Sequence, residues 1–148
     1  MRKLISTILV FCVTCSLFVL QASASSPENE NSSLSLYDLN TSRCTYTFTI
    51  DSNGLARTTI IYAGIPETFV EINAEVKIQK KFLGIFWLNV SIGEPDNVWS
   101  ATSANLNAVL SKSFQLNETG TYRAVFDIEV IGINGNDIIE DKIQATYD

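Results

Sequence analysis

The feature that most constrains the fold is an alternation of apolar and polar side chains with a period of two. It is clearest in residues 68–80, where every second residue from Val70 to Ile78 is apolar and the residues between them are polar. Successive side chains of a β-strand point to opposite faces, so this pattern predicts a strand with one buried and one solvent-facing side. A helix would require a period of 3.6 residues, and no convincing segment of that kind follows Cys44.

Other short segments repeat the pattern and are separated by Gly, Pro, Asn and Asp, which favour turns. The predicted strands are residues 44–50, 55–63, 68–80, 88–92, 98–104, 108–116, 121–131 and 138–147. Asn134-Gly135 is a hairpin-turn signal between the last two. Seven or eight antiparallel strands at this spacing predict an all-β sandwich of two sheets, and a closed, ligand-holding barrel is the alternative.

The N-terminus has the order of a secretory signal peptide. Met1-Arg2-Lys3 is followed by an uncharged run to Leu20 and then by the small residues before Ser25. We expect cleavage after Ala24 and release of the product outside the cell. A single membrane-spanning helix is the alternative, but the run is short for a bilayer and no basic cluster follows it.

Three regions are therefore predicted: a signal peptide at 1–24, a flexible polar segment at 25–42 and a β-sandwich domain at 43–148. The polar segment is dominated by Ser, Asn, Asp and Glu, which bury too little apolar surface to offset the entropy of ordering. Signal removal leaves Cys44 as the only cysteine, so no internal disulfide can form. We expect Cys44 to be buried, and an intermolecular disulfide is the alternative.

Charge and composition disfavour several classes of function. The chain has a net charge of −6, and loss of Arg2 and Lys3 takes the mature form to −8. This balance disfavours nucleic acid and anionic membranes as partners, because both select clustered Lys and Arg. The chain also contains 0 histidines, which excludes catalytic triads and zinc sites of the usual composition.

We therefore expect a non-enzymatic protein with no cofactor and no metal. Its carboxylates alternate along solvent faces or lie in turns, where they serve solubility. Calcium at residues 51–54 or 134–137 is a weaker alternative, because both segments read as turns. A serine–lysine or paired-carboxylate enzyme is a further alternative.

The run KKFLGIFWL at residues 80–88 interrupts the alternation with almost continuous apolar residues. We expect a tight reversal at Leu83-Gly84, with Gly84 supplying a positive φ. Trp87 is then predicted to point inward as a structural anchor, together with Ile85 and Asn89. The neighbouring side chains would form an outward apolar ridge. The candidate partner-binding residues are Phe82, Leu83, Phe86 and Leu88.

Two other interpretations of this ridge remain open: coverage by another part of the chain, and insertion into a membrane. Lysines next to an apolar loop favour insertion, whereas the acidic net charge opposes approach to anionic lipid.

Residues 118–124, Glu-Thr-Gly-Thr-Tyr-Arg-Ala, resemble the acidic-x-Gly-x-Tyr-x-Cys signature that precedes strand F of immunoglobulin domains. Ala74, Trp87 and Ala124 are spaced like the Cys, Trp and Cys of that family, with both cysteines absent. The resemblance implies an immunoglobulin-like sandwich in which Trp87 packs between the sheets. It also implies that Tyr122 bonds back to the backbone as a tyrosine corner. Residues 68–130 are similar to small exported proteins of Gram-positive bacteria with no assigned activity.

These observations predict a secreted, monomeric module that recognises an unidentified extracellular protein or cell-surface component. A secreted effector or antagonistic toxin that acts on neighbouring cells or their membranes is the alternative. Four Asn-x-Ser/Thr sequons begin at Asn31, Asn40, Asn89 and Asn117. The bacterial resemblance makes them incidental to function.

Overall fold

The computed structural model describes residues 39–148. The predicted signal peptide and residues 25–38 of the predicted polar segment lie outside the described residues. Within residues 39–148 there are eight strands and one short 3₁₀ turn, Pro95–Asn97. The strands are β1 Thr41–Ile50, β2 Leu55–Gly64, β3 Phe69–Phe82, β4 Phe86–Asn89, β5 Val98–Ser103, β6 Asn107–Gln115, β7 Gly120–Gly132 and β8 Gly135–Tyr147. Within this range, the prediction of an all-β fold is confirmed. No helix in the described range is long and apolar enough to cross a membrane.

The strands form two antiparallel sheets. One sheet has three strands in the order β1-β2-β6, and the other has five, in which β4-β3-β7-β8 are neighbours and β5 also pairs with β3. Strands β4 and β5 lie one after the other along the same side of β3, opposite residues 79–82 and 72–77 respectively. The two-sheet arrangement predicted from the period of two is therefore confirmed.

The core lies between the inward faces of the two sheets. In the five-stranded sheet it is built by alternate residues of β3 and β7, which pair over most of their length. These inward residues are Ile72, Ala74, Val76, Ile78, Tyr122, Ala124, Phe126, Ile128 and Val130. The rings of Tyr46 on β1 and Phe126 on β7 meet across the layers with centroids 5.0 Å apart. The alternation that predicts the strands is thus the alternation that fills the core.

The two alanines compared with immunoglobulin cysteines do not face each other across the sheets. Ala74 lies on β3 opposite Ile128, and Ala124 lies on β7 opposite Ile78. Both are fully buried on the same face of the same sheet. The expected Cys-Trp-Cys correspondence across the sandwich is therefore wrong, because β3 and β7 are neighbours in one layer.

The beginning of β1 is fixed to β8 by the buried carboxylate of Asp137. Its Oδ1 accepts the N–H of Leu39 at 2.8 Å, and its Oδ2 accepts the N–H of Asn40 and the hydroxyl of Thr41, both at 2.9 Å. Tyr62 donates its hydroxyl to the carbonyl of Asn40 at 3.0 Å. Burial raises the pKa of Tyr62 to about 12, so the hydroxyl stays a donor. Residues 39–42, predicted as the end of the polar segment, thus belong to the domain.

Asn40 itself is enclosed next to the turn between β7 and β8. Its Nδ2 donates to the carbonyl of Gly135 at 2.8 Å, and the residue is 0% exposed. A Cβ added to Gly132 would lie 1.7 Å from Asn40 Oδ1. Gly132 is therefore required because the amide occupies the space that any side chain there would need.

Tyr122 closes the opposite end of β7. It is buried, and its hydroxyl donates to the backbone carbonyl of Glu118, four residues earlier, at 2.5 Å. This is the hydroxyl-to-backbone bond that a tyrosine corner makes. The bond holds the segment leading into β7 against the body of the domain.

We predict that Asp137→Ala lowers the free energy of unfolding by about 3 kcal/mol, because it removes bonds to a buried charged acceptor and leaves two backbone N–H groups unpaired. Urea denaturation of residues 25–148 measures the change. Asp127→Ala, at an exposed carboxylate on β7, is the matched control and should change stability by less than about 0.5 kcal/mol. Equal effects of the two substitutions would contradict the role assigned to Asp137.

Tyr122→Phe should cost about 1 kcal/mol, the net worth of one buried hydroxyl hydrogen bond. The ring is retained, so the dependence of the unfolding free energy on urea should keep its slope. An unchanged midpoint would show that the bond to Glu118 contributes nothing to stability.

Candidate functional site: an apolar hairpin and its cleft

The turn between β3 and β4 is a tight reversal in which two residues have positive φ. Leu83 has φ 51° and Gly84 has φ 71°, and Ile85 donates its N–H to the carbonyl of Phe82 at 3.1 Å. The predicted reversal at Leu83-Gly84 is confirmed. Such turns normally carry Asn or Gly at the first position, and a leucine there costs roughly 1 kcal/mol. A strained, exposed leucine at a hairpin tip favours a role other than stability.

Five large apolar side chains of this hairpin are exposed to solvent, and we call them the hairpin surface. They are Phe82, Leu83, Ile85, Phe86 and Leu88, with exposures from 52% to 73%. On the inward face of β3, burial falls from complete at Ile78 to half exposure at Phe82. The hairpin therefore extends past the part of the sheet that the opposite layer covers.

The faces of this hairpin are the reverse of the sequence prediction. Phe86 pairs with Phe82 and Leu88 pairs with Lys80, so both lie on the inward-directed face of the sheet. Trp87 pairs with Lys81 on the outer face and is only half-buried. The expectation that Trp87 is an inward anchor is wrong. The apolar ridge exists, but it continues the core face beyond its cover.

Trp87 packs instead against cationic side chains. The guanidinium of Arg123 lies 4.2 Å from the centroid of the indole, and the ammonium of Lys81 lies 5.8 Å from it. Arg123 Nε also donates to Gln79 Oε1 at 2.7 Å. Cations near the face of an indole are attracted by its quadrupole. These contacts hold the Trp87 side chain on the outer face of the hairpin.

The tryptophan of the core is Trp99 on β5, which is 8% exposed and lies opposite Val76. The sequence prediction placed it in the strand at residues 98–104 and assigned it no role. Its alternation with Val98 and Ser100 is the signal that could have identified it, because both neighbours lie on the outer face opposite polar residues of β3.

A cleft of about 480 Å³ lies beside the hairpin surface. Phe82, Leu88 and Val90 form one wall, and the segment from Gln115 to Glu118 forms the other. Leu116 in that second wall is buried. The hairpin wall is mostly apolar, whereas the second wall is polar apart from Leu116. The sequence prediction did not identify the second wall, because residues 115–118 are far from the hairpin in the chain.

An ion pair lies in the cleft. Lys80 Nζ and Glu118 Oε2 are 2.5 Å apart, and the ammonium lies 5.6 Å from the centroid of the Tyr122 ring. The hydrogen bond to Glu118 raises the pKa of Lys80, and the same bond lowers the pKa of Glu118. Burial raises the pKa of Tyr122. All three groups stay in their usual ionic forms near neutral pH.

The segment between β4 and β5, residues 90–97, contacts β6 of the other sheet. Glu94 forms an ion pair with Lys112 at 2.5 Å, and Val90 and Ile92 pack against the core. Val90 and Ser91 of this segment line the cleft. The segment leaves β4 itself paired with β3 alone among the described strands.

The two segments considered for calcium use their oxygens in turns and caps. Asp51 Oδ1 accepts the N–H groups of Asn53 and Leu55, and Asp137 holds the start of β1. Between Leu39 and Asp148 no group of three or more His, Cys, Asp or Glu is arranged to hold a metal ion.

The described chain is thus an all-β protein of two packed antiparallel sheets with an exposed apolar hairpin at one end. Comparisons with protein-family models, with curated proteins and with solved structures find no match.

We predict opposite outcomes for the two tryptophans. Trp99→Ala should lower the free energy of unfolding by about 3 to 5 kcal/mol, because it leaves a cavity in the core. Trp87→Ala should cost about 1 kcal/mol, the worth of its exposed cation–π contacts. Thermal or urea denaturation measures both changes, and a larger effect at Trp87 would place that indole in the core after all.

Proposed function

We propose that this protein is an exported, non-enzymatic recognition module with an immunoglobulin-like sandwich, and that it binds an extracellular protein or cell-surface protein component through its hairpin surface. The single observation that carries the proposal is the exposure of five adjacent large apolar side chains on one hairpin. Soluble domains rarely expose contiguous apolar surface of this kind without an interaction to make.

The order of the strands supports the immunoglobulin-like part of the proposal. The sheets β1-β2-β6 and β3-β7-β8 have the connectivity of strands A-B-E and C-F-G in that fold. The hydroxyl bond from Tyr122 to the backbone adds a second shared feature. Export is supported by the order of charge, apolar run and small residues at the N-terminus. The resemblance to small exported proteins of Gram-positive bacteria agrees with both.

The character of the hairpin surface supports binding to a protein. Aromatic residues at the centre of an interface dominate binding energies, and two of the five exposed side chains are phenylalanines. The adjoining cleft offers a concave site, apolar on the hairpin side, into which a partner side chain can fit. An interface of this kind gains affinity from burial of surface that the free domain leaves in water.

The test compares capture of proteins by immobilised residues 25–148 from the medium and surface extracts of the producing culture. The hairpin variant carries Phe82→Ser and Phe86→Ser. The matched control carries Val109→Ser and Ile133→Ser, which remove two equally exposed apolar side chains elsewhere. We expect the wild-type chain and the control to capture the same protein, and the hairpin variant to capture it about tenfold less.

All three chains should unfold at similar temperatures, because each substituted side chain is already largely in water. Equal capture by the hairpin variant, or no specific capture by the wild-type chain, would contradict the proposal. Leakage of vesicles caused by the wild-type chain and abolished in the hairpin variant would replace it with the toxin alternative.

A further inference from the structure

The backbone of β4 leaves hydrogen-bonding groups open at the edge of the five-stranded sheet. Val90 donates its N–H to the carbonyl of Ile78 at 2.9 Å, and the register continues with Leu88 opposite Lys80. Backbone groups in an antiparallel pair alternate between facing the partner and facing away. The N–H and C=O groups of Trp87 and Asn89 therefore point away from β3.

This edge lacks the charged residues that the edge strands β6 and β8 carry. Exposed edges are usually blunted by charge, by proline or by an inward-pointing lysine. The edge strand β6 carries Lys112 on its inward face, and β8 carries several charged residues. Strand β4 is Phe-Trp-Leu-Asn and carries neither a charge nor a proline. Its composition permits another strand to pair with it.

The two faces beside this edge differ in chemistry. The inward-directed face presents Phe82, Phe86 and Leu88 and continues into the cleft. The outer face presents Trp87 between the cations Lys81 and Arg123. An added strand would alternate its side chains between these two faces.

The outer face selects for negative charge. The ion pairs of the described chain join Lys80 to Glu118 and Lys112 to Glu94, so neither includes Lys81 or Arg123. Both cations belong to a chain whose net charge is −6. A cationic site on an acidic protein attracts a carboxylate locally, whereas the rest of the surface repels acidic groups that approach elsewhere.

We propose that β4 receives an extended segment of the partner protein as an additional β-strand, with apolar side chains beside Phe86 and Leu88 on one face. On the other face, an acidic side chain beside Trp87 would be directed toward Lys81. This inference rests on the proposed function and specifies how the hairpin surface recognises its partner. Backbone pairing supplies affinity in such complexes, and alternate side chains supply specificity. The segment is defined by its chemistry: extended, alternately apolar, and acidic at one position on the other face.

The test uses a displayed library of random peptides long enough to form one strand, selected against residues 25–148. We expect enrichment of peptides that alternate apolar residues with acidic ones. The edge is then blocked with Asn89→Pro, which removes an outward N–H that β3 does not use and is tolerated at a sheet edge. Asn89→Thr is the matched control, because it also loses the side-chain bond to Gln79 but keeps the backbone N–H.

The enriched peptides should bind Asn89→Thr as they bind the wild-type chain and should bind Asn89→Pro about tenfold less. Charge reversal by Lys81→Glu should also weaken binding, whereas Lys142→Glu, at an exposed lysine of β8, should not. Selection of peptides with no alternation, or equal binding to the proline variant, would overturn strand addition.

The outcomes separate this inference from the proposed function. If the peptides fail to bind the variant with Phe82→Ser and Phe86→Ser but still bind Asn89→Pro, the hairpin surface remains a binding site and the added strand is rejected. If the peptides bind both variants as they bind the wild-type chain, both the hairpin surface and the added strand are rejected as the binding site. A concentration-dependent dimer of the purified chain that Asn89→Pro abolishes would assign the edge to a second copy and overturn the proposal of a foreign segment. Binding to anionic phospholipid vesicles, in place of peptides, would overturn it in favour of a membrane.

Discussion

The pairing of β3 with β7 is the constraint on which the rest of the fold depends. The two strands pair in one continuous register from Glu71 to Lys80, and their inward residues are among the most completely buried in the domain. Every other strand of that sheet pairs with one of these two. The opposite sheet packs its aromatic residues onto them, as Tyr46 does onto Phe126. A slip of one residue in this pairing would direct the polar set of each strand into the core.

The same pairing explains why an apolar surface exists at one end. Strand β3 continues beyond its partnered region with β7 and turns back as β4, so its inward pattern runs on where the opposing layer no longer covers it. Burial is complete at Ile78 and is lost by Phe82. Nothing in the local conformation requires Leu83 at the tip, where glycine or asparagine would be less strained. The hairpin therefore departs from the pattern that best serves stability, as functional segments often do.

The strands were predictable from sequence because most of them have one solvent-exposed face and one buried face. The alternation in β3 and β7 determines which residues are buried, and the structure places them so. The orientation of Trp87 was not predictable, because its segment is apolar at nearly every position and its two faces cannot be told apart. Trp99 was overlooked because its strand is short and its neighbours are small.

Other parts of the site could not be read from sequence because they depend on distant contacts. The cleft joins Leu88 to Leu116, and no local pattern reports that proximity. The buried position of Asn40 depends likewise on Gly132, and the polar composition around it resembles a tether. The cleft and the burial of Asn40 both arise only when strands that are distant in the sequence come together.

The enclosure of Asn40 has a practical consequence for making the protein. Asn40, Thr41 and Ser42 form a sequon, yet the folded domain leaves no room at that amide for even one sugar. A eukaryotic secretory pathway that attaches an oligosaccharide to the nascent chain would prevent the first strand from closing onto the last. Glycan-free expression hosts, or replacement of Ser42 by alanine, suit production of the native domain.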